Sequence, residues 1–227
     1  MRSLCVCLAS FLFTAPVFAG DANQLTDAER TEGWELLFDG KTTDHWRGIG
    51  KQDFPATGWQ VTNACLLKVG KVYGGDIITR EKFTDFDFQW EWRIGSNGNN
   101  GVKYFVTENP RSPGHEYQLL DDTRTRDEKS STGSFYTIIA PAKDKPLNPP
   151  GQWNHSRIQV KGNHVEHWLN GKKIVEYECG SDEVRQAAAK SKYRNAPDYG
   201  RKIPNSHILL TDHRDETWFR NLKIRRL

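Results

Sequence analysis

Residues Phe86 to Ile94 read Phe-Asp-Phe-Gln-Trp-Glu-Trp-Arg-Ile, a two-residue alternation of large apolar and polar side chains. Successive side chains of a strand point to opposite faces, so this run sets Phe86, Phe88, Trp90, Trp92 and Ile94 on one oily face. Gln89, Glu91 and Arg93 fall on the other. A second run, Glu116-Tyr117-Gln118, repeats the pattern with Glu116 and Gln118 sharing a face. A sheet face bearing carboxylates, amides and a guanidinium is suited to binding or cleaving a sugar.

Similar strand-like runs are expected at 34–39, 59–63, 65–69, 76–80, 101–108, 134–140, 155–161, 164–169, 172–178, 207–213 and 217–225. Many short strands punctuated by Gly, Asn and Pro predict an all-β sandwich or jelly roll. Asn170-Gly171 is the clearest hairpin turn, because both residues tolerate the positive φ of a type I′ turn. With a turn at Gly162-Asn163, residues 153–178 form a three-stranded meander. One short helix is expected from about Asp182 to Lys192, capped by Ser181, with acids in its first turn and lysines in its last. The Pro-rich segment 141–152 is expected to be an exposed loop.

The N-terminus, through Ala19, has a basic Arg2, an apolar run from Leu4 to Phe13 and small residues before a cleavage point after Ala19. That is the pattern of a secretory signal peptide, with residues 20–227 as one domain in the periplasm or secreted. No later stretch is apolar enough to insert in a membrane. Lys and Arg number 32 against 29 Asp and Glu, a net charge of +3, too small to imply nucleic acid as a partner. The sequence does not set an oligomeric state. Cys65 and Cys179 are either a disulfide or two small core residues. Most of the Trp and Phe are expected in the core, with Trp46, Trp59 and Trp153 as candidates for a sugar-facing rim.

Several segments together resemble the 3-keto-disaccharide hydrolase domain family, formerly a domain of unknown function. They are GWELLFDGKTTDHWRG (33–48), WQVTNACLLKV (59–69), GGDIITREKFTDFDFQWEWRI (74–94), NNGVKYFV (99–106), GHEYQLLDD (114–122), GSFY (133–136), GQWNHSRIQVKGNHVEHWLNGKKI (151–174) and DHRDETWFRNLKIRRL (212–227). The resemblance implies a concanavalin A-like jelly-roll sandwich of two antiparallel sheets. It also implies an exported enzyme acting on glycosides whose sugar carries a ketone at C3. Similar domains usually read N-S-G at Asn99-Asn100-Gly101, G-A-L-Y at Gly133 to Tyr136, and L-Q-D-H-G at Leu210 to Arg214.

A C3 ketone acidifies the C2 hydrogen, so a base can remove it and the group on C1 can leave by elimination. The site then needs a base, a donor or cation at the enolate oxygen, and an acid for the leaving group. Glu116 or His213 is read as the base, Arg93 or a metal as the enolate partner, and Tyr136 or Asp121 as the acid. Arg93, Asn100, Gln118 and Trp153 are read as substrate contacts. No cofactor is certain; a divalent cation on His213, Glu116 or Asp121 is left open. An ordinary glycosidase needs two opposed carboxylates. The sandwich-fold acid motif E-x-D-x-x-E meets an amide at Gln118 here, which argues against that mechanism. A lectin-like carbohydrate-binding module is the non-catalytic alternative.

Overall fold

The computed structural model describes residues 22–227; the expected signal peptide lies outside them. The elements are, in order, α1 (Asp27–Thr31), β1 (Trp34–Leu36), β2 (Trp46–Gly48), β3 (Trp59–Thr62), β4 (Cys65–Lys68), β5 (Ile77–Thr79), β6 (Phe86–Ile94), β7 (Asn99–Val106), β8 (His115–Leu120), β9 (Asn154–Lys161), β10 (His164–Leu169), β11 (Lys172–Glu178), α2 (Asp182–Lys190), β12 (His207–Leu210) and β13 (Thr217–Arg226). Eight strands form one sheet in the order β11-β10-β9-β6-β13-β4-β3, with β1 added on β13. Five form the other, β2-β5-β12-β7-β8. The strand pairs are antiparallel, giving the two-layered jelly-roll sandwich.

The alternation in β6 does what its period requires. Phe86, Phe88, Trp90 and Trp92 are buried between the sheets, while Gln89, Glu91 and Arg93 are half-buried on the outside. Across the interface Trp90 meets Tyr117 of β8 edge to face, with ring centroids 5.1 Å apart. Tyr117 and Leu119 therefore face inward, and Glu116 and Gln118 face out of the five-stranded sheet. Asn170 and Gly171 take φ of +45° and +83°, as the hairpin joining β10 to β11 demands. Ser181 caps α2 by accepting from the Val184 N–H.

Some expectations need correction. Residues 134–140 do not form a strand. The chain makes bridges at Phe135, to Tyr117 and to Ile139, then turns at Thr137 with φ +65°. The strand expected from 101 begins at Asn99, so Asn100 lies in β7 rather than in a loop. Trp46 and Trp59 are not rim residues. Both are buried and donate indole N–H bonds to the carbonyls of Leu37 and Gly75. Cys65 and Cys179 are buried and, among the described residues, unpaired. The short helix α1 was legible but missed: Thr26 and Glu29 complete a capping box. No helix among the described residues is long and apolar enough to cross a membrane.

Candidate active site

The outer face of the five-stranded sheet gathers polar groups from β7, β8 and the chain after β12. Register places Gly101 beside Gln118 and Lys103 beside Glu116. Glu116 is buried, its side chain 4% exposed, and its Oε2 lies 3.8 Å from the Lys103 Nζ. Its Oε1 has no hydrogen-bond partner among the described residues. That oxygen rests over Gly101, where a Cβ would come within 2.3 Å of it. Glycine at 101 is what lets the carboxylate lie flat on the sheet.

Two neighbours on this sheet share the deficit. Gln118 donates through Nε2 to the Asn99 Oδ1 at 3.0 Å, but its Oε1 is buried without a donor. Asn100 accepts from the Gly101 N–H at 2.8 Å and from the Thr211 hydroxyl at 3.0 Å, leaving Nδ2 unpartnered. A buried polar atom without a partner costs on the order of 1–3 kcal/mol. Two of these atoms, on Glu116 and Gln118, share the outer face, where an added ligand oxygen or hydroxyl could complete the bonding; Asn100 pairs with the inward Leu119 and is not part of that group. Asn100 and Thr211 stand where similar domains usually carry Ser and Gln, and here they touch: a longer side chain at one position meets a shorter one at the other.

Tyr136 is held beside this carboxylate by its own backbone, since its N–H donates to the Glu116 carbonyl at 3.0 Å. The Tyr199 hydroxyl donates to the Tyr136 carbonyl at 3.1 Å. Lys192 lies over the rings of Tyr136 and Tyr193. Burial, with the nearby Glu116 charge adding to it, raises the Tyr193 hydroxyl above its ordinary range.

Beneath, a buried chain of hydrogen bonds anchors these covering segments. The Gly200 N–H donates to the His115 Nε2 at 3.0 Å, which puts the ring proton on Nδ1. His115 then donates to Tyr177, Tyr177 to Tyr104, and Tyr104 to the His167 Nε2, each at 2.7 Å. His167 finishes by donating through Nδ1 to the Gly133 carbonyl at 2.9 Å. Burial holds both imidazoles neutral, His115 pushed down to about 3 and His167 to about 4.

His213 stands apart from Glu116, exposed on the wall of a cavity of about 700 Å³ that Asp53, Tyr73 and Asp76 also line. It is placed there by Asp212, whose carboxylate accepts from the N–H groups of Gly74, Gly75 and Arg214 and pairs with the buried Lys68 at 3.0 Å. Burial alone would raise the Asp212 pKa; those donors bring it below the ordinary range instead. Arg214 has φ +64°, a conformation that glycine adopts without strain, which accounts for the Gly of similar domains. A second cavity of about 420 Å³ shares Ile49 and Asp76 with the first and is lined by Lys103. The two adjoin along one side of the molecule and reach Lys103, the cation beside Glu116.

The structure thus brings Glu116, Gln118 and Tyr136 together on the outer face, while Asn100, opposite the inward Leu119, starts from the other face of the same sheet, and His213 lies apart on the wall of the first cavity. It does not bring in Asp121, Arg93 or Trp153. Asp121 follows the end of β8 and caps a 3-10 turn, accepting from the N–H groups of Thr123 and Asn97. Arg93 and Trp153 lie on the outer face of the other sheet, across the whole thickness of the sandwich from Glu116. Nor do Glu116, Asp121 and His213 converge as metal ligands. Among the described residues, the trio close enough to share an ion is His164, Glu166 and Glu176, and Lys173 already bonds to both of its carboxylates. Sequence reasoning missed Lys103. Its signal was a lone cation in an otherwise apolar run, Val102 to Val106, in step with Gly101.

Comparison with known proteins fits this geometry. A Bacteroides thetaiotaomicron protein named 3-keto-disaccharide hydrolase is 28% identical over 86% of this chain and 78% of its own length. A solved structure from Parabacteroides distasonis, provisionally classed as a glycosyl hydrolase, is 34% identical over 91% of this chain and 99% of its own, with a TM-score of 0.80. A second protein of that organism, classed the same way, is 25% identical with a TM-score of 0.68, over 86% of this chain and 99% of its own. Residues 33–225 match the 3-keto-alpha-glucoside-1,2-lyase-like domain, and the chain belongs to that family.

Proposed function

We propose that this protein, exported as its first residues imply, cleaves the glycosidic bond of 3-keto-glycosides by elimination. The observation that carries the reading is the Glu116 carboxylate, buried, with one oxygen empty and a single cation nearby. Glu116 removes the proton from C2, and the electron pair left behind forms the enolate with the C3 carbonyl. Lys103, rather than the distant Arg93, supplies the positive charge at the enolate oxygen. The enolate collapses to a C1–C2 double bond as the C1–oxygen bond breaks, and the leaving oxygen takes a proton from Tyr136. Water then adds at C1 while C2 regains a proton, giving net hydrolysis. Gln118, on the same face as Glu116, has a free acceptor to hold one of the sugar's remaining hydroxyls. His213, on the wall of the first cavity, is a contact for the departing group.

Turnover of a 3-keto-glucoside beside its unoxidised parent tests this, with and without a chelator. Release of the aglycone from the keto form alone is expected, unaffected by chelation. Cleavage of the parent would replace the elimination with ordinary glycoside hydrolysis. Binding of either sugar without turnover would make the site that of a lectin-like module.

A further inference from the structure

The outer face of the eight-stranded sheet carries a second assembly that the proposed reaction does not use. Strands β9, β6 and β13 lie side by side, and Trp153, just before β9, forms a lateral row with the outward Arg93 of β6 and Trp218 of β13. The Arg93 guanidinium lies 5.2 Å from the centroid of the Trp153 ring and 4.6 Å from that of Trp218. All three side chains are half-buried. The cations around Arg93 are paired: Arg220 with Glu91 at 2.7 Å, Arg157 with Asp87 at 2.7 Å, and Arg225 with Glu32 at 3.2 Å. Arg93 has no carboxylate, and its buried Nε has no acceptor among the described residues.

A guanidinium fixed against two indoles is pre-oriented, and its fork of N–H groups matches a carboxylate bidentately. The Arg220 guanidinium also lies over the Trp153 ring, 4.1 Å from its centroid, so the apolar surface for the C–H face of a pyranose ring is offered chiefly by the half-buried Trp218. The Trp153 indole N–H is free for a sugar hydroxyl, having no partner among the described residues. The row therefore fits a ligand that presents a carboxylate beside hydroxyls and an apolar ring face. We propose that Arg93, Trp153 and Trp218 form a second carbohydrate site, for a uronic-acid-containing glycan, on the face opposite Glu116. Such a site would hold the protein on an acidic polysaccharide while the site at Glu116 remains free.

The test is a titration of the full domain with trigalacturonate and with neutral galactotriose, followed by the indole N–H and backbone amide resonances. Trigalacturonate is expected to shift the indole signals of Trp153 and Trp218 and leave the Gly101 amide in place. Galactotriose is expected to bind at least ~10-fold more weakly, since the charged hydrogen bonds are lost. Arg93→Gln should weaken trigalacturonate by ~10-fold or more, and Trp153→Phe, a milder change in volume, should weaken it less. Equal binding of the two trisaccharides overturns the proposal, as does a shift confined to Gly101 and Lys103 or no shift at all. None of these readouts depends on turnover, so the proposed reaction can fail while this site stands, and the reverse.

Discussion

Asp212 and Glu116 are two carboxylates of the same molecule, both with side chains closed to solvent and both beside a lysine. Asp212 has four donors: three backbone N–H groups and the Lys68 ammonium. Lys68 in turn spends its remaining bonds on the carbonyls of Val69 and Val72. Glu116 has one cation at 3.8 Å and an oxygen with nothing on it. A carboxylate with its lone pairs filled is framework, because taking up a proton would break several bonds at once. One with an empty oxygen can receive a proton without dismantling its surroundings. The difference separates a structural acid from a candidate base where burial and charge alone would not.

Substitution breaks the comparison most sharply. Glu116→Gln keeps shape and removes basicity, so turnover of a 3-keto-glycoside should fall ~10³-fold, with the urea midpoint almost unchanged. Full turnover in this variant would end the role assigned to Glu116. Asp212→Asn should do the opposite, costing about 3 kcal/mol of stability, since it leaves the wholly buried Lys68 without its counter-charge. Equal urea midpoints for Asp212→Asn and wild type would show that the filled carboxylate is not framework after all.

The same contrast runs along β8. His115 and Tyr117 face inward and are bonded, while Glu116 and Gln118 face outward and each keep an orphan atom. The inward histidines set an acid limit. Both are held neutral in the folded protein, at about 3 and about 4, against an ordinary value near 6.5. As pH falls below 6.5 the unfolded chain takes up protons that the native state refuses, so stability is full above that pH and lost below it. The loss is about 1.4 kcal/mol per pH unit for each imidazole, or about 2 kcal/mol each at pH 5. His167→Gln should flatten the fall in urea stability between pH 7 and pH 5 by about half of the histidine share. An unchanged slope would mean that His167 titrates in the native state.

The strand pattern of this fold was legible because period two shows directly in β6 and in the β9–β11 meander. Sheet membership was not. Gln89-x-Glu91-x-Arg93 and Glu116-x-Gln118 look alike in sequence, yet β6 and β8 belong to different sheets, and their outward faces look away from each other. Alternation says which residues share a face of one strand and nothing about which strands share a sheet. That is why Arg93 and Trp153 were grouped with Glu116, and why Lys103, on the neighbouring strand, was overlooked. Asp121 was misread for a local reason, since β8 stops one residue short of it.

Gly101 tests whether the empty oxygen needs its exact bed. Its backbone has no positive φ, so alanine fits the chain, but the new Cβ would sit 2.3 Å from the Glu116 Oε1. The carboxylate must swing away. Gly101→Ala should therefore lower turnover ~10-fold through misplacement of the base, while stability holds or rises by about 0.5 kcal/mol. Turnover equal to wild type would show that the carboxylate does not act from the position seen here.

The smallest effect is expected at Arg214, two residues after the filled carboxylate of Asp212 and four beyond the end of β12. Its φ of +64° is kept because the Arg214 N–H is bonded to Asp212 and its carbonyl accepts from the Lys71 N–H at 2.6 Å. A non-glycine residue there stores about 1 kcal/mol of strain, partly offset because glycine is more costly to order from the unfolded chain. The side chain also lies 5.5 Å from the Tyr73 ring, on the cavity wall, a contact glycine would forfeit. Arg214→Gly should thus change stability by less than about 1 kcal/mol, while any change in KM reports the lost Arg214–Tyr73 contact. If stability instead dropped as far as in Asp212→Asn, the left-handed turn would be held by the arginine side chain, and the carboxylate's bonds would not be what fixes this corner.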